Sequence, residues 1–170
     1  MPGKTKIVLG VDTSLRSTGW GIVEACGSSM RALGHGIIKN RPAWPHSQCF
    51  LNIRVQIESC CRDFELDAVA IEGVFFSKNL KTTLVLGEAR GVVISACAAE
   101  GVSVYEYSPR KVKQAVVGNG GAHKDQVAEM IKRILGIKND LGDDESDALA
   151  IAICHLHGNS TIAGLAPCPI

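Results

Sequence analysis

The stretch that decides the fold is KIVLGVDTSLRSTGWG, residues 6–21. Residues 7–11 have the length and the β-branched side chains of a buried strand, and Asp12 follows directly. After a polar turn, residues 19–23 predict a second strand that returns beside the first. A carboxylate at the end of a buried strand costs free energy unless something compensates its charge, and a bound cation would do so. The alternative is that Asp12 starts the turn by bonding its own backbone, as Asp residues often do.

The length and the charge of the chain limit what it can be. It has 170 residues and a formal net charge of +1. This length fits one domain, which we expect over residues 1–157, followed by a loosely ordered tail over residues 158–170. Because the net charge is close to zero, the chain has no overall positive field that would indicate a nucleic-acid partner. Such a partner would have to bind a local basic patch. The sequence has no disordered composition, no apolar run long enough to span a bilayer and no signal peptide, so we expect a cytoplasmic protein without membrane contacts.

The cysteines give no sign of a zinc framework. There are seven, an odd number, and no two have the C-x-x-C spacing. Most have apolar neighbours, which predicts small buried thiols in a reducing compartment. The CHLH run at residues 154–157 could suggest a metal site, but no second pair of ligands accompanies it.

Three antiparallel strands are predicted first. A third strand covers residues 30–39, and Gly34 and Gly36 are expected to break it. The connection from the second strand is a hairpin turn at residues 27–29. Helical spacing of apolar residues then predicts a helix over residues 49–64.

A second acid follows a second buried strand. Residues 67–72 predict that strand, and Glu72 ends it. The loop at residues 73–79 carries two adjacent aromatics, and the longest predicted helix covers residues 80–100. Small and apolar residues share one stripe of that helix: Leu84, Gly87, Gly91, Ile94 and Ala98. The stripe either packs within the monomer or contacts a second copy of the chain.

The last third of the chain is mostly helical. A fifth strand is predicted over residues 102–107, and then Ser108 as N-cap and Pro109 at the first position begin a short helix. A glycine-rich link leads to a helix over residues 123–135. The final helix opens with the acidic run DDESD at residues 143–147 and continues, almost wholly apolar, over residues 148–157.

This order of elements predicts a mixed α/β sheet that gathers the acids. If the first and fourth strands are neighbours, Asp12 and Glu72 meet at one end of the sheet. Asp144 and Asp147 lie on one helical face and can reach the same place. Helix capping is the alternative for this cluster, although a cap needs fewer acids. Four carboxylates would repel one another without cations, whereas two Mg²⁺ ions would make a site for phosphodiester hydrolysis.

Several motifs, in order, resemble the RuvC family of bacterial Holliday-junction resolvases. They are the stretch at residues 6–21, AIEGVFFSKN at 70–79, GEARG at 87–91, VKQAVVG at 112–118 and SDALAIAICH at 146–155. The resemblance implies a ribonuclease-H-like mixed five-stranded sheet flanked by helices, and a homodimer. It implies paired symmetric nicks in four-way DNA junctions during recombination and repair, with two Mg²⁺ ions per subunit, or Mn²⁺. It also implies the RuvA–RuvB branch-migration complex as a partner.

The resemblance assigns roles to residues by their positions in these motifs. It implies that four acids are both catalytic residues and metal ligands: Asp12, Glu72, Asp144 and Asp147. It implies that Phe75 probes the junction and that Lys113 and Lys124 are functional lysines. We add Lys78, in the loop of Phe75, and Arg110, in the short helix, as predicted nucleic-acid-binding residues. We expect Phe76 to pack beneath its loop.

The chain departs from the family pattern at two places. Thr13 and Ser14 stand where the family usually has Pro-Gly, which alters a tight turn without removing a ligand. Gly73 stands where the family often has Gln, which removes the side chain for a base contact. Since Asp143 and Glu145 flank Asp144, the choice of the third acid stays open among these three adjacent residues.

Three other classes of protein are alternatives to a junction resolvase. A non-specific or RNA-directed nuclease of the same fold would differ in its loops rather than its acids. Actin-like sugar kinases and chaperone ATPases also have an Asp at the end of the first strand, but they need two such domains, and 170 residues supply one. The intact set of acids argues against a non-catalytic binding module.

Overall fold

The computed structural model describes residues 5–73, 79–158 and 167–170 of the chain. Its strands are β1 (Lys6–Asp12), β2 (Ser17–Cys26), β3 (Ser29–Lys39), β4 (Ala68–Glu72) and β5 (Val104–Tyr107). Its helices are α1 (His46–Asp63), α2 (Leu80–Ala99), α3 (Pro109–Val117), α4 (Lys124–Leu135) and α5 (Asp143–Gly158). The predicted order of elements is confirmed. The predictions for Phe75, Phe76 and Lys78 fall outside the described residues.

The five strands form one mixed sheet in the order β3-β2-β1-β4-β5. The first three strands are antiparallel, whereas β4 pairs in parallel with both β1 and β5. The predicted five-stranded sheet and the predicted pairing of the first and fourth strands are therefore confirmed. Val11 lies opposite Ile71 in the parallel pair, so Asp12 and Glu72 leave the sheet side by side at the same edge.

The alternation of side chains along β1 and β4 decides which face receives the two acids. Leu9 and Val11 pack in a buried cluster with α1 and α2 on one face. Val8 packs in a second cluster with α3, α4 and α5 on the other face. Because successive side chains of a strand point to opposite faces, Asp12 and Glu72 project to the face of α3, α4 and α5.

Glycines let α5 lie directly on the backbones of β1 and β2. A Cβ atom at Gly10 would lie 2.0 Å from the carbonyl oxygen of Ala148, and one at Gly19 would lie 2.0 Å from the carbonyl oxygen of Asp144. Such a contact cannot exist in a protein, so these two positions admit only glycine at this helix–sheet distance. The close approach brings the acidic start of α5 to the edge of the sheet where Asp12 and Glu72 end.

The prediction that Gly34 and Gly36 break the third strand is wrong. β3 runs without a break from Ser29 to Lys39, with one register shift opposite Ile22 and Val23. The two glycines lie against the ring of Trp20, and a Cβ atom at Gly36 would lie 3.0 Å from that ring. They make room for an aromatic side chain on the neighbouring strand rather than interrupt the pairing.

The small-residue stripe of α2 faces outward. Leu80 and Leu84 are 70% and 59% exposed. A Cβ atom at Gly87 or Gly91 would meet no described atom within 4 Å. Packing within the monomer, one of the two explanations of the stripe, is therefore wrong for these glycines and for Leu84.

By length and composition alone, α2 is also long and apolar enough to cross a membrane. Only 22% of its apolar 18-residue stretch is buried inside the protein. This corrects the expectation that the sequence holds no such apolar run. The observation is weak evidence for a membrane segment, because a helix from the core of a water-soluble protein passes the same test.

Most of the cysteines are buried, as predicted, and five of the seven are so: Cys49, Cys60, Cys61, Cys97 and Cys154. Cys26 and Cys168 are the exposed ones. Most of the tail lies outside the described residues. At its end, the Ile170 amide donates a hydrogen bond of 3.0 Å to the Val104 carbonyl of β5.

Candidate active site

Asp12 and Glu72 are half-buried carboxylates at the carboxyl ends of two neighbouring parallel strands. Burial, followed by the charges of Asp147, Glu72 and Asp144, raises the pKa of Asp12 to about 7. Burial and the charge of Asp147 also raise the pKa of Glu72, against the charges of Lys113 and Lys124. These shared shifts show that the acids of the sheet edge and of α5 interact electrostatically.

The Asx-turn explanation of Asp12 finds no support. Within the described residues, no hydrogen bond joins its carboxylate to the following turn. The turn is closed instead by Ser14 and Thr18: the Ser14 amide donates to the Thr18 hydroxyl at 3.3 Å, and that hydroxyl donates to the Ser14 carbonyl at 2.5 Å. The Asp12 carboxylate is thus left for other partners.

The first turns of α5 divide their acids among different partners. The Ser17 hydroxyl, on β2, donates to Oδ2 of Asp144. Lys124 Nζ lies 3.0 Å from Asp147 Oδ2 and 3.3 Å from Asp143 Oδ2. Asp143 is 82% exposed, whereas Asp147 is 38% exposed. Asp144 and Asp147 therefore face the sheet edge, and Asp143 faces outward.

Glu145 supports the start of the helix rather than the acid group. Its Oε1 lies 2.7 Å from His35 Nδ1 on β3, and its Oε2 accepts from the Gly142 amide at 3.1 Å. Capping is thus one real role within the acidic run, and Glu145 fulfils it. Of the three adjacent candidates, only Asp144 contributes to the raised pKa of Asp12, which favours Asp144 as the third acid.

Two of the predicted nucleic-acid-binding lysines lie beside the acids. Lys113 of α3 and Lys124 of α4 line a small cavity of about 50 Å³ together with Glu72 and Asp147. Burial alone would lower the pKa of Lys124. The pKa is nevertheless raised, because Lys124 forms hydrogen bonds with the negatively charged Asp147 and Asp143. Both lysines can therefore meet an anion that approaches the carboxylates.

Arg110 is not brought to the same place. It is exposed, and its stem lies against Gly120, where a Cβ atom would approach Arg110 Cγ to 2.6 Å. It lines none of the described cavities that contain Asp12, Glu72 or Asp147. Phe75 and Lys78 lie outside the described residues.

A larger cavity of about 260 Å³ opens directly on the acids, and we call it the acid pocket. Seven of the described residues line it: Asp12, Thr13, Glu72, Gly73, Leu86, Arg90 and Pro109. Thr13 Oγ1 and Arg90 Nε are buried without a hydrogen-bond partner among the described residues. Arg90 also forms an ion pair with Glu106. A Cβ atom at Gly73 would lie 3.1 Å from Glu106 Oε1. Glu106 thus occupies space beside Gly73.

The donor set fits a hard divalent cation. Carboxylate oxygens are the ligands that Mg²⁺ prefers, and burial together with the neighbouring acids raises the pKa of Asp12 in the absence of a cation. As the side chains stand, no three His, Cys, Asp or Glu side chains in the described part of the chain are gathered closely enough to hold an ion. Lys124, which contacts Asp147, supplies the nearby positive charge.

Sequence reasoning missed several residues of the site. Ser17 and His35 hold the first turn of α5, and Arg90 lines the acid pocket. No spacing rule identifies such contacts, because they join residues far apart in the chain. Gly10 and Gly19 did carry a readable signal, since a glycine inside a strand often marks the close approach of another backbone.

Comparison with known proteins identifies the family. The family model described as crossover junction endodeoxyribonuclease RuvC matches residues 8–155. The crossover junction endodeoxyribonuclease RuvC of Caldicellulosiruptor saccharolyticus is 40% identical over 157 residues, which cover 91% of this chain and 95% of that protein. The protein of the same name from Nitrosomonas eutropha is 41% identical over 164 residues, covering 96% of this chain and 91% of the relative.

Solved structures agree with the sequence relatives. T. thermophilus RuvC, in complex with a Holliday junction substrate, has a TM-score of 0.90 at 32% identity and covers 97% of this chain and 99% of its own. The yeast mitochondrial Holliday junction resolvase Ydc2 has a TM-score of 0.64 at 13% identity, over 91% of this chain and 81% of its own, and shows a shared fold alone. Since the family model and relatives of about 40% identity span most of its length, the chain belongs to the RuvC family of crossover junction endodeoxyribonucleases.

Proposed function

We propose that this protein is a metal-dependent endonuclease that resolves four-way DNA junctions by paired symmetric nicks. The observation that carries the proposal is the gathering of Asp12, Glu72 and the α5 acids at one edge of the sheet, where Lys113 and Lys124 face them. Family membership and the relative solved with a Holliday junction substrate support the choice of substrate.

The proposed metal ligands are Asp12, Glu72, Asp144 and Asp147, and the proposed cofactor is Mg²⁺, two ions per subunit, with Mn²⁺ as a substitute. Two such ions, when bound, stabilise the attacking and leaving oxygens of a displacement at phosphorus. The protein holds the four acids on two rigid strands and the first turns of one helix. The backbone elements that carry the acids are therefore in place before the substrate arrives.

The lysines neutralise and position the substrate phosphate in this proposal. Lys113 and Lys124 lie on different helices and flank Glu72 and Asp147 from one side. Contacts of this kind are made to phosphate oxygens, so they strengthen binding without reading sequence. Lys124 Nζ contacts Asp147 and Asp143 in the absence of substrate, and it would be available to a substrate phosphate if a cation took over the charge of these acids. Arg110, Lys78 and Phe75 remain predicted contacts that rest on the resemblance and on their charge.

The homodimer is part of the proposal, since two equivalent strands of a junction require two sites. The exposed apolar side chains of α2 and the open space over Gly87 and Gly91 support this helix as the contact. A partnership with RuvA–RuvB is proposed from the resemblance, and a cytoplasmic location from the composition of the sequence. A single domain over residues 1–157 is proposed from the length of the chain, and a loosely ordered tail from the lack of periodicity after residue 157.

The experiment that tests the function uses a synthetic four-way junction with fluorescent labels on two opposing strands. We expect Mg²⁺-dependent nicks at symmetric positions in both strands, with no cutting in EDTA. Asp12→Asn, Glu72→Gln and Asp147→Asn should each abolish cutting while junction binding stays nearly intact, because they remove ligands rather than phosphate contacts. Equal cutting of linear duplex, single-stranded DNA or RNA would instead show a non-specific nuclease.

A further inference from the structure

A second pocket lies next to the acid pocket, and we call it the basic pocket. It has a volume of about 280 Å³, and its lining includes Arg16, His46 and Lys81. Leu86 of α2 lines both pockets, so the two share a wall. The chain also passes from one to the other, since Thr13 lines the acid pocket and Ser14 lines the basic one.

The chemistry of the basic pocket suits an anion. Arg16 and Lys81 are cations, His46 can become one, and the hydroxyl-bearing residues Ser14 and Thr82 also line it. None of its described lining residues is acidic. Neither α1, which begins at His46, nor α2, which carries Lys81 in its first turn, has an acidic residue in its first turn. No carboxylate in the lining therefore neutralises these cations.

Arg16 is held in place before any ligand arrives. Its Nη1 donates to the Arg41 carbonyl at 2.7 Å and to the Trp44 carbonyl at 3.1 Å, and it lies 3.2 Å from Cys49 Sγ. All its described hydrogen bonds use this one nitrogen, which leaves the donors on Nη2 and Nε for a ligand. A guanidinium fixed in this way loses little side-chain entropy when it binds an oxyanion.

We propose that the basic pocket binds a backbone phosphate of the DNA strand that enters the acid pocket. The inference rests on the proposed function, because it places the phosphate on the strand to be cut. A backbone phosphate is preferred over a free nucleotide, since the described lining has no Phe, Tyr or Trp to stack on a base. Cations and hydroxyls without a base platform are the groups that contact phosphates independently of sequence.

The test compares two charge reversals of the same size. Lys81→Glu changes the basic pocket. Lys138→Glu changes an exposed lysine that follows the C-terminal end of α4, whereas Lys124 begins that helix. Glutamate in the first turn of α2 favours the helix, so the melting temperature of Lys81→Glu should not fall. Affinity is measured by fluorescence anisotropy at several salt concentrations, with Ca²⁺ in place of Mg²⁺. The probes are a synthetic four-way junction and a linear duplex.

We expect Lys81→Glu to weaken binding of both probes by about tenfold, and to reduce the slope of log K against log salt by about 1, as the loss of one phosphate contact does. Lys138→Glu should change neither quantity appreciably. Equal affinities and slopes for the two variants would overturn the proposal. Normal DNA affinity with a loss of dimer mass in Lys81→Glu would also overturn it and assign the pocket to a protein contact.

The duplex arm separates this proposal from the proposed function. If the wild-type protein fails to cut junctions, the proposed function fails, yet the duplex affinities of the two variants still decide whether the basic pocket holds phosphate. If the wild-type protein cuts junctions and the variants bind alike, the basic pocket alone is excluded.

Discussion

Asp12 has the most strongly raised pKa among the acids of the site, mainly because it is buried. Its raised pKa, about 7, means that the folded protein without metal keeps a proton that the unfolded chain releases near pH 4. Between about pH 4 and pH 7 the native state binds more protons than the unfolded state, so stability falls as pH rises. A bound divalent cation reverses this penalty, because it compensates the ionised carboxylate.

Asp12→Asn should therefore stabilise the protein without metal. In EDTA at pH 8 we expect its free energy of unfolding to exceed that of the wild type by about 1–3 kcal/mol, with the difference vanishing near pH 4. Urea unfolding across this pH range measures it. The exposed Asp140→Asn is the matched control and should show no such pH-dependent gain. An Asp12→Asn variant less stable than the wild type at pH 8 would contradict the inference that an ionised Asp12 destabilises the metal-free protein.

Ser17 should act as a positioning residue for Asp144, whose carboxylate accepts its hydroxyl hydrogen bond. Ser17→Ala removes this bond, and we expect metal affinity to fall by about tenfold, as loss of a hydrogen bond to a ligating carboxylate does. The readout is the Mn²⁺ concentration that half-maximally raises the melting temperature without DNA, together with the Mg²⁺ dependence of cutting. Ser17→Thr keeps the hydroxyl and should restore both, whereas equal Mn²⁺ midpoints for Ser17→Ala and the wild type would remove this role.

At the scale of elements, the contact of α5 with β1 and β2 positions half of the acid group. Gly19→Ala should push the start of α5 away from the sheet, because the new Cβ would overlap the Asp144 carbonyl at 2.0 Å. We expect a loss of cutting with a lower melting temperature. The control is Gly158→Ala, at the open far end of α5, where a Cβ atom meets no described atom within 4 Å and alanine should preserve stability. An active Gly19→Ala variant would show that the helix can withdraw without displacing Asp144.

The elements were predictable where local pattern decides them. The apolar runs before Asp12 and Glu72 gave two parallel strands, and Ser108 with Pro109 marked the start of α3, where the Ser108 hydroxyl accepts from the Lys111 amide. Local pattern gave a wrong prediction at β3, because Gly34 and Gly36 make room for the Trp20 ring and do not break the strand. Secondary-structure propensity is a property of single residues, whereas the role of these glycines depends on Trp20 of the neighbouring strand β2.

The positions of the four acids could be predicted from the sequence, whereas the residues that support them could not. Asp12, Glu72 and the acids of α5 lie at ends of elements, which fixes their place once the sheet order is known. Ser17 and His35 reach the same region across long sequence separations. Which of three adjacent acids faces the sheet depends on the helical phase of α5, and the close glycine contacts set that phase.

At the scale of the whole molecule, the open face of α2 leads to a prediction about assembly. Leu84 is 59% exposed there, beside Gly87 and Gly91, where small residues let a second helix approach closely. Leu84→Arg should place a charge in the proposed dimer contact. Leu51→Arg is the matched control, because Leu51 is equally large, 61% exposed and on α1.

We expect light scattering at micromolar concentration to give the wild type and Leu51→Arg twice the 18.0 kDa mass of one chain, and Leu84→Arg the mass of a single chain. A single chain holds one acid pocket, so Leu84→Arg should nick one strand of a junction without the paired nick opposite. The Leu84→Arg monomer should stay folded, because Leu84 is exposed on the single chain. Its melting temperature should lose only the concentration-dependent contribution of the dimer. A wild-type protein that is a monomer and still makes paired symmetric nicks would exclude this dimer, because one acid pocket cannot reach two opposing strands in one encounter.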